Sequence, residues 1–515
     1  MNKKGSGLFT TPFFLTGGYN PCHKMSIGPT EAQATASSSS EKVPVSFVCS
    51  SSCAFVVSER PILIPISSTP SELSDLVRHL LIGEGEDVPE DARFDFLFEM
   101  AEDSKILLRG SLQKVLLEAG WTLERTVRLE YFQSSPEPQL QETIEHPEWI
   151  RSLCSSAQGT FASGCYDGKV RVFAHASAEL MAEIPAHDLA VNGVSFIPGP
   201  VGRLVSVSLD QTGHVLHQTG NDQATGAFEG TFDLAFPADE SEPLSCVAVS
   251  RKGEFLAVAG SAGKISVFSA RREESEEDSF SSAALPSATA EPAKKRSRKA
   301  AAAEKAPLRK RRARFVLEGA HSAPVTALLF DRTEYKSTGL PLLFSASLDG
   351  SIRAWDLQEQ SFAFILSSDS PITALTQHST NAKCLISCHV DGSVRFWNLA
   401  EPLLSSSALL PTTYFAGNAE IMTKRLRSLH RGWITAVAWS PRNENLFATA
   451  GHDGAVYIWD ARCPSNTQPT PQFTLKEGNG LRDGEGSKVL ALDWSVDGML
   501  RFGGEEGKVY CYLAK

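Results

Sequence analysis

No run in this 515-residue chain approaches the ~18 consecutive apolar residues that a membrane helix needs. Its ten cysteines are too sparse for a disulfide framework at this length, and none form a Cys-x-x-Cys pair. Cys49/Cys53 and Cys384/Cys388 have the spacing of neither a zinc knuckle nor a redox pair. Cys246, Cys384, Cys388 and Cys511 fall in predicted strands, where a thiol packs as a small apolar group. A reducing compartment and no metal within the chain are the expectations. There is also no excess of positive charge: the net charge is −11, which argues against a general nucleic-acid binder. Lys3 and Lys4 before the apolar stretch Leu8–Leu15 faintly echo a secretory signal, but secretion is not expected, because the stretch is short, is split by Pro12 and has no small-residue cleavage site close behind it. Residues 1–42, rich in Ser, Gly and Thr, read as a disordered leader in which Met25 is a possible second start.

What is present is a phrase repeated seven times: small and β-branched residues, a tight turn, then an alternating strand that often ends in an aromatic. Leu343 to Asp356 and Leu446 to Asp460 are the clearest copies. The turns fall at Asp167-Gly168, Asp210 to Gly213, Ala262-Gly263, Asp349-Gly350, Asp391-Gly392, Asp453-Gly454 and Glu506-Gly507. Asp-Gly between alternating strands is a hairpin signal, expected to place both central residues at positive φ. Such periodicity decides the architecture: a mainly β chain whose residues 146–515 build a seven-bladed β-propeller. The last repeat ends at Tyr510–Leu513 without an outer strand. Gln139–Ile144, in the linker 134–145, is expected to supply it and close the ring.

Residues 43–133 have another pattern. Val43–Cys49 reads as a strand, and Ala54–Val57 with Ile62–Ile66 as a second, proline-kinked one. Thr69 is an N-cap, Pro70 the first helical residue and Glu72 the partner in a capping box. Leu73, Leu76, Val77, Leu80 and Leu81 then share one helix face. Strands at Phe94–Phe98, Ile106–Leu108 and Thr126–Phe132, with a helical turn at Leu112–Glu118, complete the order of a small ubiquitin-like α+β roll.

Three motifs carry chemistry or its imitation. His321, Ser345, Asp349 and Trp355 recur in role as His430, Thr449, Asp453 and Trp459. They suggest a Ser-His-Asp triad, but their repetition fits the cross-blade hydrogen-bonded tetrad that WD repeats use to fix register. Gly260–Ser266 imitates a phosphate loop but lies between two strands, so no helix N-terminus faces a phosphate. Residues 270–314 form an insertion without strand pattern, expected to be disordered. An acidic block (Glu273 to Asp278) precedes two basic clusters: Lys294, Lys295, Arg296, Arg298 and Lys299, then Arg309, Lys310, Arg311, Arg312 and Arg314. Such clusters suit a nuclear import receptor or RNA phosphate.

The order of ubiquitin-like roll, WD propeller and basic insertion between the third and fourth repeats narrows the reading. Phe94–Leu97, Leu107–Arg109, Ser163–Gly168 and His321–Val325 are similar to segments of one family. Over residues 43–515 the chain resembles the WD-repeat ribosome-biogenesis factors of the PeBoW (Pescadillo–block of proliferation–WD-repeat) complex. The resemblance implies a non-enzymatic scaffold in maturation of the large (60S) subunit and its rRNA, in nucleolus and nucleoplasm. Its propeller would dock a block-of-proliferation-type WD-repeat protein, which also holds a Pescadillo homologue. Its ubiquitin-like domain would be gripped by the AAA ATPase midasin for removal from the pre-60S particle. By the same resemblance Glu124, in the turn before the last strand of that domain, would donate a carboxylate oxygen to a Mg²⁺ held by midasin's adhesion site. The chain itself would need no cofactor. Glu99 to Lys105 lengthens a turn beyond the family pattern. A Notchless-type assembly factor shares the domain order but typically adds a blade and lacks the insertion. A ubiquitin-ligase substrate receptor would be expected to carry a ligase-docking segment, and none is found.

Overall fold

Alternating burial sets the first strands. The computed structural model describes residues 41–514 apart from 51–54, 90–91, 100–104, 123, 176, 200–201, 220–226, 236–241, 271–308, 318, 335–339, 400–413, 417–421, 428, 463–469 and 477–486. The leader, the first basic cluster and most of the Glu99–Lys105 turn lie outside the described residues. Strand β1 (Lys42–Cys49) buries Val43, Val45 and Phe47. It is joined by β2 (Ile62–Pro65), α1 (Pro70–Gly83), β3 (Phe94–Glu99), β4 (Lys105–Leu107), α2 (Leu112–Glu118) and β5 (Val127–Gln133). The sheet order is β2-β1-β5-β3-β4, with β1 and β5 parallel. Helix α1 begins with the expected capping box: Thr69 Oγ1 accepts from the Glu72 amide, and Glu72 Oε2 accepts from the Thr69 amide at 2.9 Å. It lays Leu73, Val77 and Leu81 on a core of Phe47, Phe94, Phe96, Phe98 and Tyr131.

One expectation here is corrected. Residues 55–57 form no strand. The Tyr131 phenol takes over the backbone groups a ladder would have used, accepting from the Val57 amide at 2.8 Å and donating to the Phe55 carbonyl at 2.9 Å. Regular pairing starts only at Ile62.

Beyond Ser134, the described residues form seven further sheets, each built on a four-stranded antiparallel unit. Their innermost strands are Ile150–Ser155, Val191–Ile197, Leu244–Val249, Val325–Glu334, Ile372–Gln377, Ile434–Trp439 and Val489–Trp494, here numbered blades 1 to 7. Strand β6 (Gln139–Glu145) pairs antiparallel with the last strand, Lys508–Leu513, as the fourth strand of blade 7. The N-terminal end of the propeller therefore completes its C-terminal blade.

The hairpin geometry differs from the expected one. Only the glycine of each Asp-Gly pair takes positive φ (79° at Gly350, 76° at Gly454). The Gly350 amide donates to Ser347 O at 3.2 Å, so the turn is a longer one with a single left-handed glycine. A Cβ on Gly350 would sit 2.8 Å from the Ser368 carbonyl of the outer strand's end, so close approach also selects glycine.

The insertion is also shorter than expected, because strand structure resumes at Arg309. Arg309–Arg312 pairs parallel with Ala227–Ala235 as a fifth strand of blade 2, and Phe315–Leu317 is the outer strand of blade 3. Tyr414–Ala416 likewise adds a parallel fifth strand to blade 4. These segments lack hydrophobic alternation. Unpaired backbone at the blade edges, a template for any nearby chain, recruits them.

Neighbouring blades are tied by a ring of side-chain hydrogen bonds. In all seven blades the second residue of the innermost strand is bulged out of register. In blades 2 to 6 this residue is Asn192, Ser245, Thr326, Thr373 or Thr435. Each donates to the first carbonyl of the next blade's inner strand: Leu244 at 2.6 Å, Val325 at 2.5 Å, Ile372 at 2.8 Å, Ile434, and Val489 at 2.6 Å. Blade 7 has Leu490 in this slot and blade 1 has Arg151.

Blade 7 meets blade 1 through a different device. Arg501, 1% exposed, stacks 4.3 Å over Phe161 and donates to Ser155 Oγ at 3.2 Å. Its other terminal nitrogen is 3.0 Å from His175 Nδ1, and His175 Nε2 is 2.6 Å from Asp497. Ser155 in turn donates to Asp493. Burial pushes the Asp493 carboxyl above its usual range, against the pull of Ser155 and Arg501.

Candidate functional site

The turn bearing Glu124 is built by the end of α2 and the start of β5. Gly120 at φ 62° ends the helix, and the Trp121 amide donates back to Leu116 O at 2.9 Å. Trp121 packs edge-on against Phe98, with ring centroids 5.3 Å apart, and its Nε1 donates to Arg125 O at 3.4 Å. The Arg125 guanidinium lies 5.2 Å over the same ring, and its amide closes the turn on Thr122 O at 3.2 Å. Glu124 stands exposed in this braced turn, and no partner engages its carboxylate among the described residues. Three residues later the chain enters β5, which pairs on both sides. A free carboxylate on such a base can give one hard oxygen to a cation held elsewhere. Among the described residues no three His, Cys, Asp or Glu side chains group to hold a metal.

The two tetrads are assembled in full. His321 Nε2 is 2.8 Å from Ser345 Oγ and its Nδ1 is 2.9 Å from Asp349, while Trp355 Nε1 donates to Ser345 Oγ at 2.9 Å. In blade 6 the distances are 2.9 Å for His430 Nε2 to Thr449, 3.0 Å for His430 Nδ1 to Asp453, and 2.8 Å for Trp459 to Thr449. Ser345 and Thr449 are wholly buried, each holding an indole N–H as well as the imidazole, so neither oxygen is open to a substrate. Burial would raise the Asp349 carboxyl, but hydrogen bonds from His321 and Ser351 outweigh it and hold it well below the usual carboxylate range.

Three further sets escaped the sequence reading. His187 bridges Ser206 (2.9 Å) and Asp210 (3.1 Å) in blade 2, and His146 meets Ser163 at 2.9 Å in blade 1. In blade 5 the imidazole comes from the second strand instead: His389 contacts Ser387 at 2.8 Å, and Trp397 donates to the same hydroxyl. Spacing was the missed signal. His187 precedes Ser206 by 19 residues, as His430 precedes Thr449. Burial first, then repulsion from a neighbour (Arg171, His214 and Arg395 in turn), lowers His146, His187 and His389 to about 4 each.

The basic clusters separate. Lys294, Lys295, Arg296, Arg298 and Lys299 lie outside the described residues. Arg309 and Lys310 are placed in the fifth strand of blade 2. Arg311 donates to Ser269 O at 2.6 Å, which spends its guanidinium on the fold, while Arg312 and Arg314 are exposed.

Comparison with known proteins adds to this geometry. The NLE (NUC135) domain model matches residues 43–116, and the WD domain, G-beta repeat, model matches 138–173, 313–356, 361–398 and 423–460. "Ribosome biogenesis protein YTM1" of Meyerozyma guilliermondii is 28% identical over 92% of this chain and 96% of its own length. The NLE domain, the WD repeats and this homology support a WDR12/Notchless-type factor. Two more relatives of this type carry the name "Ribosome biogenesis protein WDR12 homolog". That of Chlamydomonas reinhardtii is 27% identical over 88% of this chain and 92% of its own length. That of Ixodes scapularis is 25% identical over 90% and 96%. In this chain the NLE match precedes the WD repeats, and Glu124 lies just beyond the matched NLE segment.

Proposed function

We propose that this ribosome-biogenesis factor is a non-catalytic scaffold of the maturing large subunit, acting in the nucleolus and nucleoplasm. Its propeller docks a block-of-proliferation-type partner and, through it, a Pescadillo homologue. Its NLE domain offers Glu124 to the Mg²⁺ of midasin, whose ATP hydrolysis removes the assembly from the pre-60S particle. The names of the relatives support the process. The observation that supports the site is the exposed, unpaired Glu124 carboxylate in a turn braced by Trp121 and Arg125. A single carboxylate oxygen is the ligand that a partly coordinated hard cation lacks. The saturated, buried tetrads support a propeller that is all scaffold.

The test is affinity capture from nuclear extract with the full chain as bait, wild type beside Glu124→Ala. The reading expects both to recover the Pescadillo and block-of-proliferation proteins and only wild type to recover midasin. Midasin retained by the variant would remove Glu124 from the site. Absence of both complex partners would turn the assignment towards a Notchless-type role or a ligase receptor.

A further inference from the structure

The residue in the bulged slot of blade 1 is the odd member of the ring. Five blades fill that slot with a hydrogen-bond donor tied to the next blade, whereas the Arg151 side chain makes no hydrogen bond or ion pair among the described residues. The slot is the second residue of the innermost strand, at the end where Trp149 leads into it, so Arg151 stands at one mouth of the channel that the seven inner strands surround.

The rim around this mouth is uneven. The residue before each inner strand and the residue that donates its amide back to it form a pair in every blade. In blades 3, 4 and 5 the first member is Pro243, Pro324 or Pro371. In blade 1 the pair is Trp149 with Tyr166, and in blade 6 it is Trp433 with His452. Both tryptophans are 43% exposed, and their rings rest against their partners at centroid distances of 5.4 Å. Blade 7, between them, has Lys488 and Glu505, which satisfy each other at 2.9 Å. A second cation, Arg431, is exposed beside Trp433 with no ion pair among the described residues. Arg151 and Arg431 are thus cations without an ion pair at this end, with Glu148 and Asp188 as exposed carboxylates in the neighbouring loops.

The opposite end of blade 6 is in use by the chain itself. Arg462 lies 4.0 Å over Phe132 of β5, and Asn443 donates to Ser135 at 3.1 Å. Asn443 and Arg462 lie in the connections at the far ends of the strands from Trp433 and His452. The NLE domain and its linker thus touch blade 6 at one end, and the aromatic rim lies at the other.

We infer that the channel mouth bounded by blades 6, 7 and 1 docks an acidic peptide segment of a protein partner. A carboxylate of that segment pairs with Arg151, and flanking apolar side chains lie on Trp149 and Trp433. Exposed Trp with a central Arg is the composition of an interface hot spot, and a bidentate carboxylate satisfies the guanidinium fork. A nucleic-acid strand fits less well, because two separate guanidinium groups, with the exposed carboxylates Glu148 and Asp188 in the neighbouring loops, make no continuous basic track for a phosphate backbone. The inference rests on the propeller being a docking module, and on neither Glu124 nor the identity of any partner.

The experiment selects from a displayed library of random 12-residue peptides on the full-length chain. The consensus peptide is then synthesised and measured by fluorescence anisotropy, beside a uridine decamer. The expected consensus holds Asp or Glu flanked by Leu, Phe or Trp. Arg151→Gln and Trp433→Ala each weaken it at least tenfold, and Thr373→Val leaves it unchanged. Arg151→Thr separates binding from folding: it restores the donor found in blades 2 to 6, so binding is lost while the melting temperature holds or rises. A consensus without acid, equal affinity for wild type and Arg151→Gln, or an Arg151-dependent grip on the decamer alone would overturn the inference. A melting temperature that falls in Arg151→Thr would assign Arg151 to the fold instead. Midasin capture through Glu124 is unaffected by any of these variants, so failure here leaves the proposed function standing.

Discussion

Blades 2 to 7 and the seam between blades 7 and 1 solve the same problem differently. Covalently consecutive blades are already neighbours, and one hydrogen bond from a bulged Asn, Ser or Thr sets each junction. The last strand of blade 7, Lys508–Leu513, has no covalent link to its outer neighbour β6, which runs on into blade 1, and the blade 7 slot holds Leu490, which cannot donate. The seam relies instead on β6 and on the Arg501 cluster. Where chain connectivity gives proximity, about 1 kcal/mol of net hydrogen bonding suffices for register. Where it does not, a whole strand and a buried guanidinium are used.

Breaking β6 has the largest expected effect. Successive strand amides point to opposite edges, so Thr143→Pro with Ile144→Pro must remove a ladder bond whichever amide faces Lys508–Leu513. Thermal melting and limited proteolysis of the double variant will show ring opening, with a loss exceeding the roughly 4–5 kcal/mol that single changes rarely pass. Next is Arg501→Met, which keeps the stem over Phe161 but strands Asp493. Denaturant titration is expected to show a loss of about 3–5 kcal/mol, with part recovered when Asp493→Asn is added. A loss unchanged by the second substitution would deny the ionic role.

Acid probes both regions at once. His146, His187 and His389 titrate at about 4 in the fold and near 6.5 when unfolded. Between those values the unfolded chain binds protons that the folded chain refuses. Their contribution is complete above pH 6.5 and declines as pH falls towards 4. Burial and Arg501 also lower His175, so the seam shares the loss. The melting temperature is expected to be flat from pH 8 to 7 and to drop steadily from 6.5 to 4.5. A flat acid limb would mean that these imidazoles are charged in the fold. The smallest effect belongs to Thr373→Val, which removes one link of the ring at nearly constant shape, for about 1 kcal/mol by denaturant titration.

Local chemistry was the part legible in the sequence: the capping box at Thr69 and Glu72, the alternating strands around each turn, and Gln139–Ile144 as the closing strand. Tertiary competition was not. Phe55 and Val57 carry strand residues, but their backbone is claimed by the Tyr131 hydroxyl, 74 positions from Val57. Arg309–Arg312 carries no strand signal, but is drawn into one by an open edge. For the candidate site, the residue types at Glu124 and in both tetrads were visible, while their bracing and saturation were not. Arg151 became conspicuous only when seven bulges were superposed in register.

The linkage between domains has a mechanical consequence. Strand β5 of the NLE domain runs through residues 134–138 straight into β6, so tension on that domain enters the propeller at its closing strand. The contacts of Arg462 with Phe132 and of Asn443 with Ser135 lie upstream of β6 on this load path and divert force into blade 6. They act as a strain relief, like the clamp that keeps a tug on a cable from reaching its solder joint. Severing them would leave the closing strand to bear the whole load.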